Sequence, residues 1–449
     1  MKKAVLILFL AFGSFSAALP QAVKHVVLIS IDGFRPDFYL DPGWGAVNLR
    51  QMMKEGVYAQ GVRSVFPSFT YPSHTTIVTG ALPVRHGIYY NQPFEPGGPE
   101  GRWYWEFSRI KAPTLWEAAH KAGLTSAAIS WPVTVGAPIN YNIPETWPWP
   151  NGSNLDRLSF SSKYATPAGL FEELQQNATG KLAPNDYNLD YLGMDENVAR
   201  MAAYLIRTYK PGLVALHMAC VDHNEHEHGR EGEEVKLAIA GADRAVRTIL
   251  EALDKAGIKD STAVIVMGDH GFVDIHTQLL PNVWLKENGF SIPSGAHPSD
   301  WTALFNTTGG SAFLHLKDPA DSVTLRQVRR ILSDLPESKK KLFRVLGREE
   351  LTRIGADPDA ALALAAVQGI CFGASEKGPD IKAASGGTHG YYPDFREIQT
   401  GFIGYGPGFK KGAVIPLMGL EDVAPLIAHL LGIPFNAPDG VLYPGLLSK

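Results

Sequence analysis

Residues 25–33 read His25-Val26-Val27-Leu28-Ile29-Ser30-Ile31-Asp32-Gly33, a short apolar run that ends in a turn. Such a run, rich in Val and Ile and bounded by turn formers, is typical of a buried parallel strand. Three further segments have the same form: Thr125–Trp131, Leu213–Ala219 and Thr262–Gly268. The sequence therefore predicts a central sheet built from strands that are buried on both faces.

Amphipathic helical segments lie between or after these strands. They are Thr114–Ala122, Glu196–Thr208, Glu233–Lys255 and Glu421–Leu431. The alternation of strand and helix predicts an α/β fold with a mostly parallel central sheet sandwiched by helices. Additional strands are predicted at Ser311–Leu316, Gln368–Gly373 and Thr400–Gly404.

Two regions resemble insertions on this scaffold. Residues 92–191 are rich in Pro, Gly and aromatic residues, and residues 281–385 are more polar. Neither region has a linker on both sides. We therefore predict a single catalytic domain, residues 19–449, with a cap-like insertion, rather than two independent domains.

The N-terminus has the pattern of a signal peptide. Lys2 and Lys3 precede the apolar run Ala4–Phe12, and small residues follow up to Ala18. The run is shorter than the roughly 20 residues that a membrane span needs. We predict cleavage after Ala18, a periplasmic or secreted protein, and no transmembrane segment after cleavage.

Composition narrows the range of partners. The chain has 41 Lys and Arg against 45 Asp and Glu, without a long block of one sign, so a nucleic-acid duplex is not expected as partner. Cys220 and Cys371 are the only cysteines. Both cysteines lie in apolar runs. We therefore predict that they are buried free thiols and do not form a disulfide with each other.

Acidic residues and histidines follow the predicted strands. Carboxylates come after three strands, two of them with a nearby histidine, and a late glycine loop adds another imidazole. These residues are Asp32, Asp222, His226, Asp269, His270 and His389. Carboxyl ends of parallel strands share one edge of a sheet, so the six side chains should converge there. Three carboxylates and three imidazoles predict a metal site, with zinc as the ion that suits them best and another divalent ion as the alternative.

A candidate nucleophile lies in the segment Ser64–Gly80. Pro72 suits the first turn of a helix, which places Thr70 at or near its N-cap. The positive helix end would favour an incoming phosphate, and a metal would activate the hydroxyl. A threonine that only caps the helix is the alternative at this point.

Taken together, these motifs resemble those of a known family. Asp32–Arg35, Thr70–His74, His86–Ile88, Asn91, Asp222 with His226, Gly268–Gly271 and His389-Gly390 occur in the order typical of type I phosphodiesterases. The chain thus resembles the nucleotide pyrophosphatase/phosphodiesterase branch of the alkaline phosphatase superfamily, from about residue 25 to 435. The resemblance implies an alkaline-phosphatase-like fold.

The resemblance also implies roles for individual residues. One zinc ion would be held by Asp222, His226 and His389, and a second by Asp32, Asp269 and His270. Thr70 would be the nucleophile beside the second ion. Asn91 would hydrogen-bond a nonbridging phosphoryl oxygen. The implied activity is metal-dependent hydrolysis of a phosphodiester or phosphoanhydride bond through a covalent phospho-threonine.

The chain departs from the family pattern at a few positions. Glu225 stands where the family usually has Gly, so we expect an altered zinc shell or added charge at the rim of the site. Ser73 and Tyr71 stand where the family often has Asn and Phe. None of these changes removes a metal ligand.

The substrate is predicted from the residues near Trp131. Val133–Asn140, which follow Trp131-Pro132, carry no cation for the extra charge of a monoester, so a small-molecule diester is expected. Six of the nine tryptophans lie between residues 103 and 149: Trp103, Trp105, Trp116, Trp131, Trp147 and Trp149. The predicted substrate-binding residues are Tyr71, Asn91 and Trp131. The aromatic rings among them would stack on a nucleotide base, or would cover the lipid chain if the substrate is a lipid with a phosphodiester headgroup. Core packing explains the tryptophans equally well.

Other activities remain open from the sequence. A phosphonate hydrolase or phosphomonoesterase of the same superfamily is one alternative, and a non-catalytic zinc-binding protein is another. A sulfatase is rejected because Thr70 stands where Cys or Ser would mature to formylglycine, and Arg85 lies too far along the chain.

Overall fold

The structure is a computed structural model. It describes residues 23–95, 103–147, 157–189, 192–291 and 301–448. The predicted signal peptide, residues 1–18, and Trp149 lie outside the described residues.

The strands are named β1 to β19 in chain order. Their bounds are β1 His25–Ile31, β2 Val57–Ala59, β3 Val62–Arg63, β4 Ser126–Trp131, β5 Tyr141–Pro144, β6 Leu213–Met218, β7 Thr262–Met267, β8 Val273–Asp274, β9 Thr277–Leu279, β10 Ala303–Thr307, β11 Ser311–Leu316, β12 Phe343–Leu346, β13 Leu362–Ala366, β14 Ile370–Phe372, β15 Ile381–Ala383, β16 Gly387–Thr388, β17 Phe402–Tyr405, β18 Val414–Ile415 and β19 Met418–Gly419.

The α-helices are named α1 to α15 in the same way. Their bounds are α1 Asp37–Leu40, α2 Val47–Glu55, α3 Thr70–Thr79, α4 Pro83–His86, α5 Leu115–Lys121, α6 Arg157–Lys163, α7 Leu170–Leu174, α8 Met194–Tyr209, α9 Cys220–His228, α10 Glu233–Lys255, α11 Pro281–Glu287, α12 Ser322–Asp334, α13 Glu337–Lys340, α14 Arg348–Ile354 and α15 Val423–Leu431.

The central sheet has the strand order β18-β2-β17-β7-β1-β6-β4-β5. The strands from β7 to β5 are parallel to their neighbours, whereas β17 is antiparallel to both β7 and β2. The prediction of a mostly parallel sheet is therefore confirmed. Strand β1 has the predicted bounds, and β4, β6 and β7 are one residue shorter than predicted.

Helices cover both faces of this sheet, and β1 shows why its sequence is mostly apolar. Val27 and Ile29 pack into a core with α2, α8 and α10, whereas Val26 and Leu28 pack into a second core with α3, α5 and α15. Successive side chains of a strand point to opposite faces, so a strand covered on both sides is apolar at most positions, and Ser30 is a buried exception in β1.

The first predicted insertion is corrected by the structure. Residues 92–191 include β4 and β5, and β4 pairs in parallel with both β5 and β6 in the central sheet. Strand β4 was predicted from the sequence, whereas β5, a short strand in a Pro- and aromatic-rich stretch, was not. Only the segments of residues 92–191 that flank β4 and β5 are insertions outside the central sheet.

The second predicted insertion forms a separate layer. Strands β10, β11, β13 and β12 make a four-stranded antiparallel sheet in that order. Phe305, Leu314, Leu364 and Val328 contribute to its own hydrophobic core. The edge strand of this sheet, β10, lies beside the cavity described below.

Two further predictions concern membrane spans and cysteines. Among the described residues, no helix combines the length and the apolar content that crossing a bilayer requires. Cys220 and Cys371 are both buried, and neither forms a disulfide, as predicted.

Candidate active site

Three neighbouring strands bring the predicted ligands to one edge of the sheet. Strand β1 lies between β7 and β6, all three parallel, and Asp32, Asp269 and Asp222 follow their respective carboxyl ends. His270 Nε2 lies 3.2 Å from Asp32 Oδ1 and 3.2 Å from Asp269 Oδ2. The convergence expected from the strand ends is present.

The remaining histidines complete the cluster. The His389 ring stacks on His270 with centroids 3.7 Å apart, and its Nε2 lies 3.5 Å from Asp222 Oδ1. His226 Nε2 lies 3.5 Å from the other oxygen of Asp222, Oδ2. All six candidate ligands therefore meet in one place, with His226 the most exposed of the histidines.

Two sets of three donors in this cluster lie close enough to hold an ion, with their ligand atoms within 4.8 Å of one another. Asp32, Asp269 and His270 form one set, which is the set that the family resemblance implies. Asp222, His270 and His389 form the other, with His270 in place of His226. His226 is not part of the second set, although its Nε2 lies near Asp222 and its ring centroid lies 5.0 Å from that of His389; its side chain is 39% exposed.

Backbone carbonyls orient the three imidazoles. The Nδ1 atoms of His226, His270 and His389 lie 3.1, 3.2 and 2.9 Å from the carbonyl oxygens of Gly387, Gly271 and Ser68. An Nδ1–H that donates to a carbonyl leaves Nε2 with its lone pair, which is the tautomer that a metal ligand requires.

The donor set fits a cation. Four buried atoms of the cluster have no hydrogen-bond partner: Asp32 Oδ1, Asp222 Oδ1, Asp269 Oδ2 and His270 Nε2. Burial raises the pKa of Asp32 and of Asp269, and neighbouring carboxylates raise both further. Burial lowers the pKa of His270, and His389 adds to the effect. Burying a carboxylate without a partner costs free energy, and a bound divalent cation would offset the negative charge.

Thr70 is the first residue of α3, and the extended residue Phe69 (φ −122°, ψ 151°) caps the helix. The Tyr71 N–H donates to Asn91 Oδ1 at 2.9 Å, and Pro72 has no N–H. The helix end therefore offers fewer free donors than the sequence suggested. Because Asn91 Oδ1 is engaged, its Nδ2 amide is the group left to contact a ligand.

Thr70 and Asn91 open into a cavity of about 660 Å³ whose wall also includes Asp32, Asp222, His226 and His389, whereas Asp269 and His270 are fully buried and do not line it. Aromatic side chains form much of its wall: Phe69, Tyr90, Phe94, Trp103 and Trp147. Its charged lining residues are Asp32, Glu95, Glu145 and Asp222 together with histidines. Within the described part of the chain, no Lys or Arg lines this cavity. The described part of the cavity wall thus offers no Lys or Arg to a phosphate beside Thr70.

Two predicted substrate-binding residues do not line the cavity. Trp131 is fully buried and packs edge-on against Trp116 and His74. Tyr71 is also fully buried and packs against Trp103 at 5.1 Å between ring centroids. The prediction was wrong for both because sequence position near the nucleophile does not fix the direction of a helix or strand side chain. Trp103 and Trp147 line the cavity instead.

Glu225 also differs from expectation. Its carboxylate is fully buried, and Oε1 lies 2.8 Å from Nε of Arg35, which is buried as well. The prediction of added charge at the rim is therefore wrong, since Glu225 lies behind the ligand cluster and pairs with a cation there.

Sequence reasoning missed two polar residues beside the cluster. His217, within β6, has Nε2 3.1 Å from Asp32 Oδ2 and Nδ1 2.8 Å from Glu145 Oε2. Burial raises the pKa of Glu145, but His217 and Arg157 outweigh burial and lower it to about 2. A histidine inside an apolar strand was the available signal for His217. Glu145 gave none, because it follows β5 in an irregular segment.

Comparisons with known proteins agree with this geometry. The fold is alkaline-phosphatase-like, with the cluster at the carboxyl edge of its sheet. Residues 26–391 match the family model described as type I phosphodiesterase / nucleotide pyrophosphatase. The chain belongs to this family of metal-dependent hydrolases of phosphodiester bonds.

Individual relatives are distant but extensive. An uncharacterized pyrophosphatase/phosphodiesterase of Schizosaccharomyces pombe is 25% identical over 97% of this chain and 82% of its own length. The bovine bis(5'-adenosyl)-triphosphatase ENPP4 is 23% identical over 95% of this chain and 82% of its own. Human ectonucleotide pyrophosphatase/phosphodiesterase family member 1 is 24% identical over 93% of this chain, but the match spans only 41% of that protein.

Solved structures show the same fold. Human ectonucleotide pyrophosphatase/phosphodiesterase 5 superposes with a TM-score of 0.66 at 21% identity, covering 95% of this chain and all of that one. An inactive variant of the murine protein in complex with AMP has a TM-score of 0.64 at 21% identity, covering 92% of this chain and 97% of that one.

Proposed function

We propose that the protein hydrolyses phosphodiester or phosphoanhydride bonds of small nucleotides, with Thr70 as nucleophile and two zinc ions as cofactors. The observation that carries this proposal is the shared cavity. Thr70, Asn91 and four of the candidate ligands, Asp32, Asp222, His226 and His389, line one space whose wall carries no Lys or Arg among the described residues.

The residues that would hold the metal follow from the donor sets. Asp32, Asp269 and His270 would hold one ion beside Thr70. The second ion would be held by Asp222, His389 and one further imidazole. The family resemblance implies His226 as this third ligand. Bound zinc ions would supply positive charge that lowers the pKa of the attacking hydroxyl and stabilises the leaving oxygen.

The chain's own residues then carry the reaction. Thr70 Oγ1 attacks phosphorus, the bond to the leaving oxygen breaks, and a covalent phospho-threonine forms, while the hydroxyl proton ends on the leaving group. Water attacks the same phosphorus in the second step, the bond to Thr70 Oγ1 breaks, and this oxygen takes up a proton that the water releases. Asn91 Nδ2 would donate to a nonbridging oxygen in both steps, because the Tyr71 N–H holds the amide by its oxygen.

Charge favours a diester over a monoester. A diester brings one negative charge to the cavity, whereas a monoester brings close to two. Four acidic side chains line the cavity, and within the described residues no Lys or Arg does. The second charge would therefore lack a partner outside the metal ions.

A nucleotide is the best-supported organic part of the substrate. The bovine relative is named for cleaving a bis-adenosyl triphosphate, and the murine neighbour was solved with AMP. The cavity wall carries Trp103, Trp147 and Phe94, whose rings suit a planar base. Gln92 and Asn306 add amide groups to the same wall.

Export is proposed as the location of this activity. The residues that support it, 1–18, lie outside the described residues, so the support is the sequence pattern alone. Cell fractionation and N-terminal sequencing of the mature protein would test it, and an intact Met1 on a cytoplasmic protein would contradict it.

Hydrolysis of bis-p-nitrophenyl phosphate against p-nitrophenyl phosphate tests the proposed reaction. Zinc-loaded wild type is expected to prefer the diester, and Thr70→Ala is expected to lose turnover. Thr75→Ala is the matched control, because the Thr75 hydroxyl donates to the Tyr71 carbonyl in the same helix and does not line the cavity. A preferred monoester, or full activity in Thr70→Ala, would contradict the proposal.

A further inference from the structure

We propose that Glu145 is a positioning residue that joins the candidate metal cluster to the aromatic wall of the cavity through its two carboxylate oxygens. Glu145 is not among the motifs that define the family resemblance, and it is 1% exposed. The inference rests on the proposed function, since it assigns Glu145 a part in metal binding and substrate binding at that site.

The first oxygen of Glu145 acts on the metal cluster through His217. Oε2 lies 2.8 Å from His217 Nδ1, and His217 Nε2 lies 3.1 Å from Asp32 Oδ2. His217 therefore occupies one oxygen of Asp32. The other oxygen, Oδ1, has no hydrogen-bond partner and faces His270 Nε2 at 3.2 Å. Asp32 is thus fixed to present one oxygen to an ion, as ligands held by an outer hydrogen bond commonly are.

The second oxygen acts on the aromatic wall. Oε1 accepts a hydrogen bond from Trp147 Nε1 at 3.0 Å. Trp147 lines the cavity and packs against Trp103, with ring centroids 5.8 Å apart. Trp103 in turn packs edge-on against Tyr71, the residue after Thr70. The indole plane that a base would meet is therefore set by the same carboxylate that sets Asp32.

A nearby guanidinium compensates the charge of Glu145. Arg157, which is fully buried, has Nη2 3.6 Å from Glu145 Oε2, and its guanidinium lies 4.2 Å from the centre of the Trp147 ring. An uncompensated carboxylate in this cavity would repel a phosphate. With Arg157 beside it, Glu145 can orient its neighbours without that penalty.

A purely structural ion pair is the competing explanation, and the two explanations differ in what a substitution changes. A structural role predicts lower thermal stability with normal zinc and ligand affinities in the folded fraction. A positioning role predicts that the two affinities change separately, according to which oxygen of Glu145 loses its partner.

Three substitutions, at two positions, separate the contacts made through the two oxygens of Glu145. His217→Asn places an amide near the position of Nδ1 and keeps a group for Glu145, but it removes the contact with Asp32. His217→Gln places an amide near the position of Nε2 and keeps a donor for Asp32. Trp147→Phe keeps an aromatic ring and removes the N–H that donates to Glu145 Oε1.

The test measures zinc dissociation constants by chelator competition, and AMP dissociation constants by calorimetry with zinc saturating. His217→Asn is expected to weaken zinc binding about 10–100-fold, the usual effect of removing an outer partner of a metal ligand. His217→Gln keeps a donor for Asp32 but loses the contact with Glu145, so it is expected to recover only part of that loss, and full recovery would show that Glu145 has no part in zinc binding. Trp147→Phe is expected to weaken AMP binding with zinc affinity unchanged, and Glu145→Gln to weaken both.

Asp243→Asn is the matched control for a buried carboxylate. Asp243 accepts hydrogen bonds from the N–H groups of Asn48 and Leu49, and it does not line the cavity. The Asp243→Asn substitution is expected to lower the melting temperature and to leave the zinc and AMP affinities unchanged. If Glu145→Gln behaves in the same way, the positioning role is wrong. Neither affinity requires turnover, so an inactive wild type would overturn the proposed reaction without deciding this inference.

Discussion

Arg35 and Glu225 form a buried ion pair behind the candidate metal cluster, with Arg35 Nε 2.8 Å from Glu225 Oε1. The pair connects the turn after β1, which carries Asp32, to α9, which carries Asp222. Gly33 makes room for it, because a Cβ at that position would lie 2.6 Å from Glu225 Oε2. The residue that departs from the family pattern thus ties together two ligand-bearing segments.

Removal of Glu225 should destabilise the protein. Glu225→Ala leaves the Arg35 charge buried and without its closest partner, so the free energy of unfolding should fall by about 3–5 kcal/mol. Urea unfolding of metal-free protein measures the change. Glu251→Gln breaks an exposed ion pair with Arg247 and serves as control, with no measurable change expected. Equal stabilities of Glu225→Ala and wild type would contradict the role of the pair.

Asn91 should act in the transition state more than in substrate binding. Asn91→Ala removes the donor to the phosphoryl oxygen, and kcat for a diester should fall about 10²–10³-fold, as when one oxyanion donor is lost. Asn91→Asp should be worse, because it adds negative charge beside the phosphate. Steady-state kinetics of the folded variants provide the measurement, and a kcat within a few-fold of wild type would show that Asn91 has no such contact.

Metal removal should lower both activity and stability. The unpaired carboxylate and imidazole atoms of the cluster are compensated only when a cation is present, so dialysis against a chelator should abolish turnover and lower the melting temperature. Zinc is expected to restore both, and calcium is not, because imidazole ligands suit zinc. Full activity after exhaustive chelation would contradict the metal site.

Asp195 should make stability depend on pH. Burial raises its pKa to about 6, although it accepts hydrogen bonds from the backbone N–H groups of Ala219 and Cys220. In the unfolded state the carboxyl has an ordinary pKa of about 3.9 and loses its proton at a lower pH than in the folded state. This contribution to stability is complete below about pH 4 and is lost as the pH rises through about 6.

Asp195→Asn removes that dependence. The free energy of unfolding of Asp195→Asn, relative to metal-free wild type, should rise by roughly 2–3 kcal/mol between about pH 4 and pH 7. Urea unfolding at several pH values measures the difference. A difference that stays constant across this range would show that Asp195 keeps an ordinary pKa in the folded protein.

The sheet could be predicted because its signal is local. Strands such as β1 are covered on both faces, so their sequences are apolar at most positions, and their ends carry turn residues beside the ligands. Parallel neighbours then bring Asp32, Asp222 and Asp269 together by geometry alone. Fold and ligand convergence follow from these two facts.

The outer residues of the site could not be predicted in the same way. Glu145 reaches the cluster through a hydrogen bond to a residue 72 positions away, and Glu225 pairs with Arg35 across the gap between α9 and the turn after β1. The direction of Trp131 depends on which face of β4 it occupies, and that face is turned to the core. Such contacts are set by tertiary packing rather than by spacing along the chain.

The covalent adduct on Thr70 provides the most direct test of the central claim. Zinc-loaded protein would be mixed with excess bis-p-nitrophenyl phosphate, quenched in acid within the first turnovers, and digested for mass spectrometry. We predict a phosphoryl diester on the peptide that contains Thr70, and none in Thr70→Ala. Rapid turnover by wild type with an unmodified Thr70, or undiminished turnover by Thr70→Ala, would show that another group or water attacks phosphorus.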